Sequence, residues 1–141
     1  MTRLSVFNDA VVCPVLDARM KEVYAGAFVF EKGKRTTLID NFLGSIQNFS
    51  EKLINLIKDI NSPLFIYGDG AQIYQNEIKE SLPNAILAPK WWAHPRASAV
   101  GVEALEMWKM GYNKNLDEIL PIYLRLSQPE ELRKKQLCQS Q

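Results

Sequence analysis

The chain has very little of the two side chains that build most zinc and disulfide sites. Its 141 residues include one histidine, His94, and two cysteines, Cys13 and Cys138, which lie far apart. Two distant cysteines do not make the disulfide framework of a small secreted protein, and with one histidine they lack the spacing of a zinc site. We therefore expect no metal, no other cofactor and a reducing, cytoplasmic setting, with Cys13 as a small buried residue.

The chain also lacks an excess of charge of one sign and long apolar runs. Seventeen lysines and arginines balance sixteen aspartates and glutamates, so the formal net charge is +1. Such a chain has no overall field that would attract nucleic acid or an anionic membrane. No apolar run approaches the roughly 18 residues of a membrane helix, and Asn8 and Asp9 interrupt the N-terminal stretch that could act as a signal sequence. We expect no membrane partner.

What the sequence does have is the composition of a globular domain, with 47% apolar and 23% charged residues. We predict a single domain over residues 1–141, with a polar and mobile tail at 128–141.

The apolar periodicity predicts an α/β chain in the order β-β-β-α-β-α-β-α. Runs rich in valine, tyrosine and phenylalanine predict a hairpin, Gly33 supplies a second turn, and a helix begins near Asn48, which has the capping-box spacing with Glu51. The predicted strands span 11–18, 23–31, 35–40, 63–67 and 84–89, and the later helices span 71–81 and 95–111. A meander followed by alternating helices and strands makes a mixed sheet covered by helices. This is the order of a ribonuclease-H-like lobe.

The last predicted helix carries an apolar stripe at helical spacing, so we expect that side to be buried. Its members are Ala97, Val100, Gly101, Ala104, Leu105 and Trp108.

Asp17 and Arg19 form a charged pair where the first predicted strand ends. Residues two apart on a strand share a face, so the arginine can fold back onto the carboxylate. As a partly buried pair they would hold the hairpin together, since removal of one partner from a buried pair costs about 3–5 kcal/mol. A contact with a substrate or phosphate is the alternative. The residues alone favour the structural or interface role and leave the ligand role open.

The turn Gly68-Asp69-Gly70 follows a predicted buried strand and precedes a helix. Such a turn can cradle a phosphate or approach a nucleotide base. The sequence lacks the third glycine of a dinucleotide fingerprint and the Gly-Lys pair of a P-loop, and the charge of Asp69 opposes an anion. We favour turn glycines without a ligand, with phosphate binding as the alternative.

Two adjacent tryptophans, Trp91 and Trp92, cannot both face the core on a regular element. One of them is expected at a surface groove or interface, with packing inside a loop as the alternative. Near the C-terminus, the basic residues at 133–135 are diluted by nearby acids, so a solvated surface is favoured over a weak contact with a nucleic-acid backbone.

Several motifs, in this order, resemble the TsaB family, also called YeaZ. The hairpin "VLDARMKEVYAGAF" resembles the one that opens the family's second lobe, "HPRASAVGVEALEMWKMG" its last helix, and "ILPIYLRLSQPEE" its closing segment, while "FIYGDGAQIY" fits its strand-Gly-x-Gly-helix. The likeness spans about residues 11–131. The residues that carry it are Asp17, Ala18, Arg19, Tyr24, Gly68, Gly70, Arg96, Tyr123, Leu124 and Arg125.

The resemblance implies a ribonuclease-H-like lobe of the actin-like ATPase superfamily. TsaB proteins have two lobes and work with TsaD and the ATPase TsaE to place a threonylcarbamoyl group on an adenosine of tRNA. TsaD carries the metal and the transfer chemistry, so the resemblance implies a non-catalytic scaffold that contacts tRNA weakly or indirectly. The sequence has no counterpart of the strand that opens the first lobe. We therefore expect the second lobe alone, with half of a nucleotide cleft and no ATP binding.

Two other functions remain open. One is a metallopeptidase of the glycoprotease type, which needs a metal pair and for which the sequence offers a single histidine. The other is an interaction domain that forms homodimers through Trp91 and Trp92 or through an open sheet edge.

Overall fold

A computed structural model describes residues 9–32, 34–112, 115, 118 and 120–125. The predicted turn glycine Gly33, the basic residues 133–135 and the predicted tail at 128–141 lie outside this set. The strands are β1 (Ala10–Arg19), β2 (Glu22–Glu31), β3 (Lys34–Gly44), β4 (Leu64–Tyr67) and β5 (Ile86–Leu87). The helices are α1 (Ile46–Ile57), α2 (Asp69–Ile73), α3 (Gln75–Ser81) and α4 (Ala97–Lys109), and a 3-10 turn spans Lys90–Trp92.

The five strands form one mixed sheet in the order β3-β2-β1-β4-β5. The first three are an antiparallel meander, and β4 and β5 run parallel to β1. The mixed α/β sheet opened by a meander is therefore as predicted. Parallel strands need a crossover, and α1 makes the one between β3 and β4.

The central strand β1 is buried on both sides, which explains its nearly continuous run of valines. Val11, Cys13 and Val15 face a core that also contains residues of α1, α2 and α3. Val12 faces the opposite side of the sheet, where it packs with Tyr67 in a smaller cluster.

Helix α1 begins earlier than its predicted capping box. Ser45 is the N-cap residue, and its hydroxyl accepts a hydrogen bond from the backbone nitrogen of Asn48 at 3.2 Å. Serine and asparagine are both good N-caps, so the choice of Asn48 was wrong by one turn. The next prediction, one helix over 71–81, is also corrected: α2 and α3 meet at Tyr74, whose φ of −102° and ψ of 28° interrupt the helical path.

Helix α4 departs from its predicted burial. Val100, Leu105 and Trp108 are 57%, 47% and 64% exposed, and the other members of the predicted buried stripe are exposed too. The opposite side, with Ala99, Glu103 and Glu106, is the half-buried one. The apolar stripe lacks a covering element among the residues that the structure describes, and a Cβ added at position 101 would meet no atom within 4 Å.

In the part of the chain that the structure describes, no helix combines the length and the apolar character needed to cross a membrane.

Candidate interaction site at the β1–β2 turn

The turn between β1 and β2 presents three exposed side chains on an unusual backbone. Arg19, Met20 and Lys21 have φ values of 64°, 54° and 62°, all in the left-handed region, without a glycine among them. Two central residues in that region make a type I′ turn, which matches the twist of a hairpin. Met20 is 78% exposed and the Arg19 side chain is 88% exposed. We call residues 19–21 the hairpin turn.

Asp17 anchors the base of the hairpin turn. Its Oδ1 accepts hydrogen bonds from the backbone nitrogen of Arg19 at 3.0 Å and from the hydroxyl of Tyr74 at 3.3 Å. The predicted pairing with Arg19 is present, with Nε 3.6 Å from Oδ2, but the Asp17 side chain is 10% exposed whereas the arginine lies in water. An ion pair with one fully solvated partner contributes little, so the hydrogen bonds hold the carboxylate.

Asp69 continues the edge of the sheet where β4 ends. The pairing of β4 with β1 stops at Pro14 and Tyr67. Beyond that point, Oδ1 of Asp69 accepts from the backbone nitrogen of Asp17 at 3.1 Å and from that of Gly70 at 2.8 Å. The carboxylate thus takes the hydrogen-bonding position of a missing strand residue. Sequence reasoning treated Asp69 as an obstacle to anion binding and missed this role.

The two glycines that flank Asp69 allow a close approach between chain segments. Gly68 has a φ of 113°, and a Cβ there would lie 2.1 Å from the carbonyl oxygen of Val15. At Gly70 an added Cβ would lie 3.0 Å from the same oxygen. Both glycines are therefore explained by the packing of α2 against β1.

Arg125, from the closing segment, binds the hairpin from the outside. Its Nη1 donates to the carbonyl oxygen of Ala18 at 3.1 Å, and its Nη2 pairs with the carboxylate of Glu22. The Arg125 side chain is 25% exposed. Beside it, Leu124 and Tyr24 both line two adjoining hollows of about 190 and 320 Å³. Ala18 and Arg125 are thus in direct contact, although they lie 107 positions apart and were singled out by separate motifs.

The remaining predicted site residues lie on the surface or next to it. Trp91 is 65% exposed, whereas Trp92 packs on the small cluster around Val12, and the two rings meet edge to face with centroids 5.1 Å apart. Arg96 is exposed at the N-cap of α4, where its side chain makes no capping hydrogen bond. Tyr123 is 84% exposed.

Three side chains of the sheet and its neighbouring helices have raised pKa values. Partial burial and the neighbouring Asp17 carboxylate raise the pKa of Tyr74, so its hydroxyl stays a proton donor at neutral pH. Burial raises the pKa of Cys13, and burial together with the Cys13 side chain raises the pKa of Tyr67. Among the residues that the structure describes, no group of three or more His, Cys, Asp or Glu side chains is placed to hold a metal.

Comparisons with known proteins give a fold. No family model matches the chain, and no curated protein matches it. A solved structure of a Pseudomonas aeruginosa protein with similarity to peptidase YEAZ matches with a TM-score of 0.59 and 20% identity, over 83% of this chain and 50% of that one. YeaZ from Pseudomonas aeruginosa matches with a TM-score of 0.55 and 20% identity, over 82% and 50%. The chain thus spans half the length of these neighbours and shares their fold there, consistent with the family that its motifs resemble.

Proposed function

We propose that the chain is a non-catalytic binding lobe of the machinery that makes threonylcarbamoyladenosine on tRNA. One observation carries this proposal. On a fold like half of YeaZ, the Asp17-Ala18-Arg19 hairpin and Arg125 of the closing segment, which the motif resemblance selected separately, contact each other. The strand order and the parallel β4 and β5 support a ribonuclease-H-like lobe of the actin-like ATPase superfamily.

The hairpin turn is the surface that we assign to the partner. Left-handed backbone at three consecutive residues without glycine costs free energy, so something around it must hold it in place. Asp17 and Asp69 do so from the inside and Arg125 from the outside. The result is a fixed projection of an arginine, a methionine and a lysine, a set that fits an apolar patch edged with acids on another protein.

The same contacts explain why we assign no catalysis to this lobe. A general base needs a carboxylate that is free to take a proton from a substrate. The half-buried carboxylates of Asp17 and Asp69 are engaged by backbone amides. In the proposal, the metal and the transfer chemistry belong to a TsaD-like partner, ATP hydrolysis to a TsaE-like one, and contact with tRNA stays weak or indirect.

Reconstitution of the modification tests the proposal. A TsaD-like protein, a TsaE-like ATPase and an unmodified tRNA are combined with and without this chain, and the modified nucleoside is quantified by mass spectrometry. We expect modification to depend on the chain. An equal yield in its absence contradicts the proposal, and stoichiometric zinc or iron in the purified chain would instead favour the metallopeptidase alternative.

A matched pair of variants tests the assigned surface in the same assay. Arg19→Glu reverses a charge in the hairpin turn, and Lys32→Glu reverses a charge at the opposite end of β2, where the backbone is also left-handed, with φ 48°. We expect Arg19→Glu to weaken the affinity for the partner about tenfold, the equivalent of about 1.4 kcal/mol. Lys32→Glu should leave that affinity unchanged. Equal effects would show that the hairpin turn is not the contact.

A further inference from the structure

A hollow lies at the edge of the sheet where β4 and β5 begin. Its walls are the two segments that lead into these strands, residues 61–64 and 81–85. The segments are neighbours because β4 and β5 are adjacent and parallel, so both strands begin at the same edge. The hollow has a volume of about 670 Å³, within the range of sites that hold small molecules. We call it the β4–β5 hollow. It lies at the opposite end of β4 from Gly68 and is separate from the hairpin turn.

Much of the lining of the β4–β5 hollow is apolar. Ile54, Ile57 and Ile60 line it from the side of α1. Ile54 is 39% exposed, and the other two isoleucines are half-buried. Leu64 and Leu82, which belong to the core, line it as well. A ligand with an apolar body would cover this surface, and removal of apolar surface from water is favourable.

The polar side chains of the β4–β5 hollow are all neutral. Asn61 and Asn84 are exposed, one on each wall, and two half-buried serines accompany them. The twelve described residues that line the hollow include no Asp, Glu, Lys, Arg or His, although 23% of the chain is charged. A charged ligand would lose hydration here without gaining a partner of opposite charge. The amide of an asparagine, by contrast, both donates and accepts hydrogen bonds, as another amide does.

From this lining we propose that the β4–β5 hollow binds a small uncharged molecule with an apolar body and an amide group. The backbone of both walls is held in place before such a ligand arrives. The carbonyl oxygen of Pro63 accepts a hydrogen bond from the backbone nitrogen of Val11 at 2.9 Å. In the other wall, the backbone nitrogen of Ala85 donates to the carbonyl oxygen of Leu82 at 2.9 Å. Pro63 and Pro83 also restrict φ. A preformed site loses little conformational entropy when a ligand binds.

Nuclear magnetic resonance on the isotope-labelled full chain tests the proposal with three probes of similar shape. Benzamide is uncharged, benzoate carries a negative charge, and benzamidine carries a positive charge. Each probe is added up to about 10 mM, because ligands this small bind weakly. We expect benzamide to shift the backbone amide signals within residues 61–64 and 81–85 until they saturate. The two charged probes should bind at least about tenfold more weakly.

A matched pair of variants tests the position of the site. Asn84→Lys adds to the hollow the positive charge that its lining lacks, and Asn76→Lys adds the same charge at an exposed position of α3 that does not line the hollow. We expect Asn84→Lys to raise the affinity for benzoate about fivefold, because lysine supplies a partner for the carboxylate. Asn76→Lys should leave the affinity for benzoate unchanged.

Three results would overturn the proposal. The first is the absence of saturable shifts with benzamide, or shifts centred on other residues. The second is equal binding of the three probes, which would remove the preference for an uncharged ligand. The third is the same affinity for benzoate in Asn84→Lys and Asn76→Lys, which would show that the β4–β5 hollow is not the site. Because these measurements contain no partner protein and no tRNA, their outcome is independent of the proposed function.

Discussion

Single residues fix the approach of α2 to β1, and Gly68 shows this most clearly. Its left-handed backbone and its contact with the Val15 carbonyl oxygen both exclude a side chain. We expect Gly68→Ala to lower the free energy of unfolding by about 3–5 kcal/mol, since strain and a backbone clash add together. Gly111→Ala separates the two effects, because Gly111 has a φ of 85° but a Cβ there would meet no described atom within 4 Å. It should cost about 1 kcal/mol. If urea denaturation showed that both variants lose the same free energy of unfolding, the clash at Gly68 would be contradicted.

The buried thiol of Cys13 predicts a loss of stability at alkaline pH. Burial raises the pKa of Cys13 above its ordinary value of 9.0. Below pH 9 the thiol is protonated in both the folded and the unfolded chain, so it does not change the stability with pH. Above it the unfolded chain loses a proton that the folded chain keeps, so stability falls by about 1.4 kcal/mol per pH unit. Above pH 10, Tyr67 and Tyr74 add to the fall, because their pKa values are raised as well.

The measurement is the free energy of unfolding in urea between pH 7 and about pH 10. Cys13→Ala starts less stable because it leaves a cavity, but its stability should fall less steeply above pH 9. A wild-type curve that stays level above pH 9, or a variant with the same slope, would contradict the assignment.

At this scale, the sequence predicts a residue's type of environment better than its partner. The apolar run around Cys13 was enough to predict that this residue is buried. The role of Asp69 was out of reach, because its partner is a backbone amide 52 positions away that becomes unpaired only where β4 stops short of β1.

At the scale of elements, the β1–β2 hairpin has a turn that its sequence does not favour. Type I′ turns prefer asparagine and glycine, and here methionine and lysine hold the same backbone. Replacement of Met20 by Asn together with Lys21 by Gly should stabilise the chain by about 1 kcal/mol and raise Tm by about 2–4 °C.

Glu31→Gly is the control for this pair, since Glu31 lies in extended strand and glycine there should cost about 0.5–1 kcal/mol. Thermal unfolding of both variants distinguishes relief of turn strain from a general effect of glycine. A lower Tm for the Asn-Gly variant would show that the left-handed turn is not strained.

Element boundaries follow from the sequence less well than element types. Ser45 and Asn48 are both acceptable caps, so the start of α1 depends on packing of Ile46 and Phe49 against the sheet. The break at Tyr74 turns its hydroxyl towards Asp17, a contact that crosses 57 positions. For α4, periodicity identified the apolar side, but it could not show that no element among the described residues covers that side.

At the scale of the whole molecule, short motifs predicted a fold that the chain shares with a neighbour at 20% identity, although no family model matches the chain. The reason is physical: the hairpin and the closing segment contact each other, so their residues are constrained together even though they are distant in the sequence. In our proposal the exposed side chains of the hairpin turn contact another protein, and the sequence of one chain does not contain information on that contact.

Our central proposal is that this chain binds a TsaD-like partner through the hairpin turn. Size-exclusion chromatography with light scattering, on the chain alone and mixed with that partner, tests it most directly. We expect a peak whose mass is the sum of the two proteins, lost in Arg19→Glu and kept in Lys32→Glu. Separate elution of two well-folded proteins would contradict this proposal.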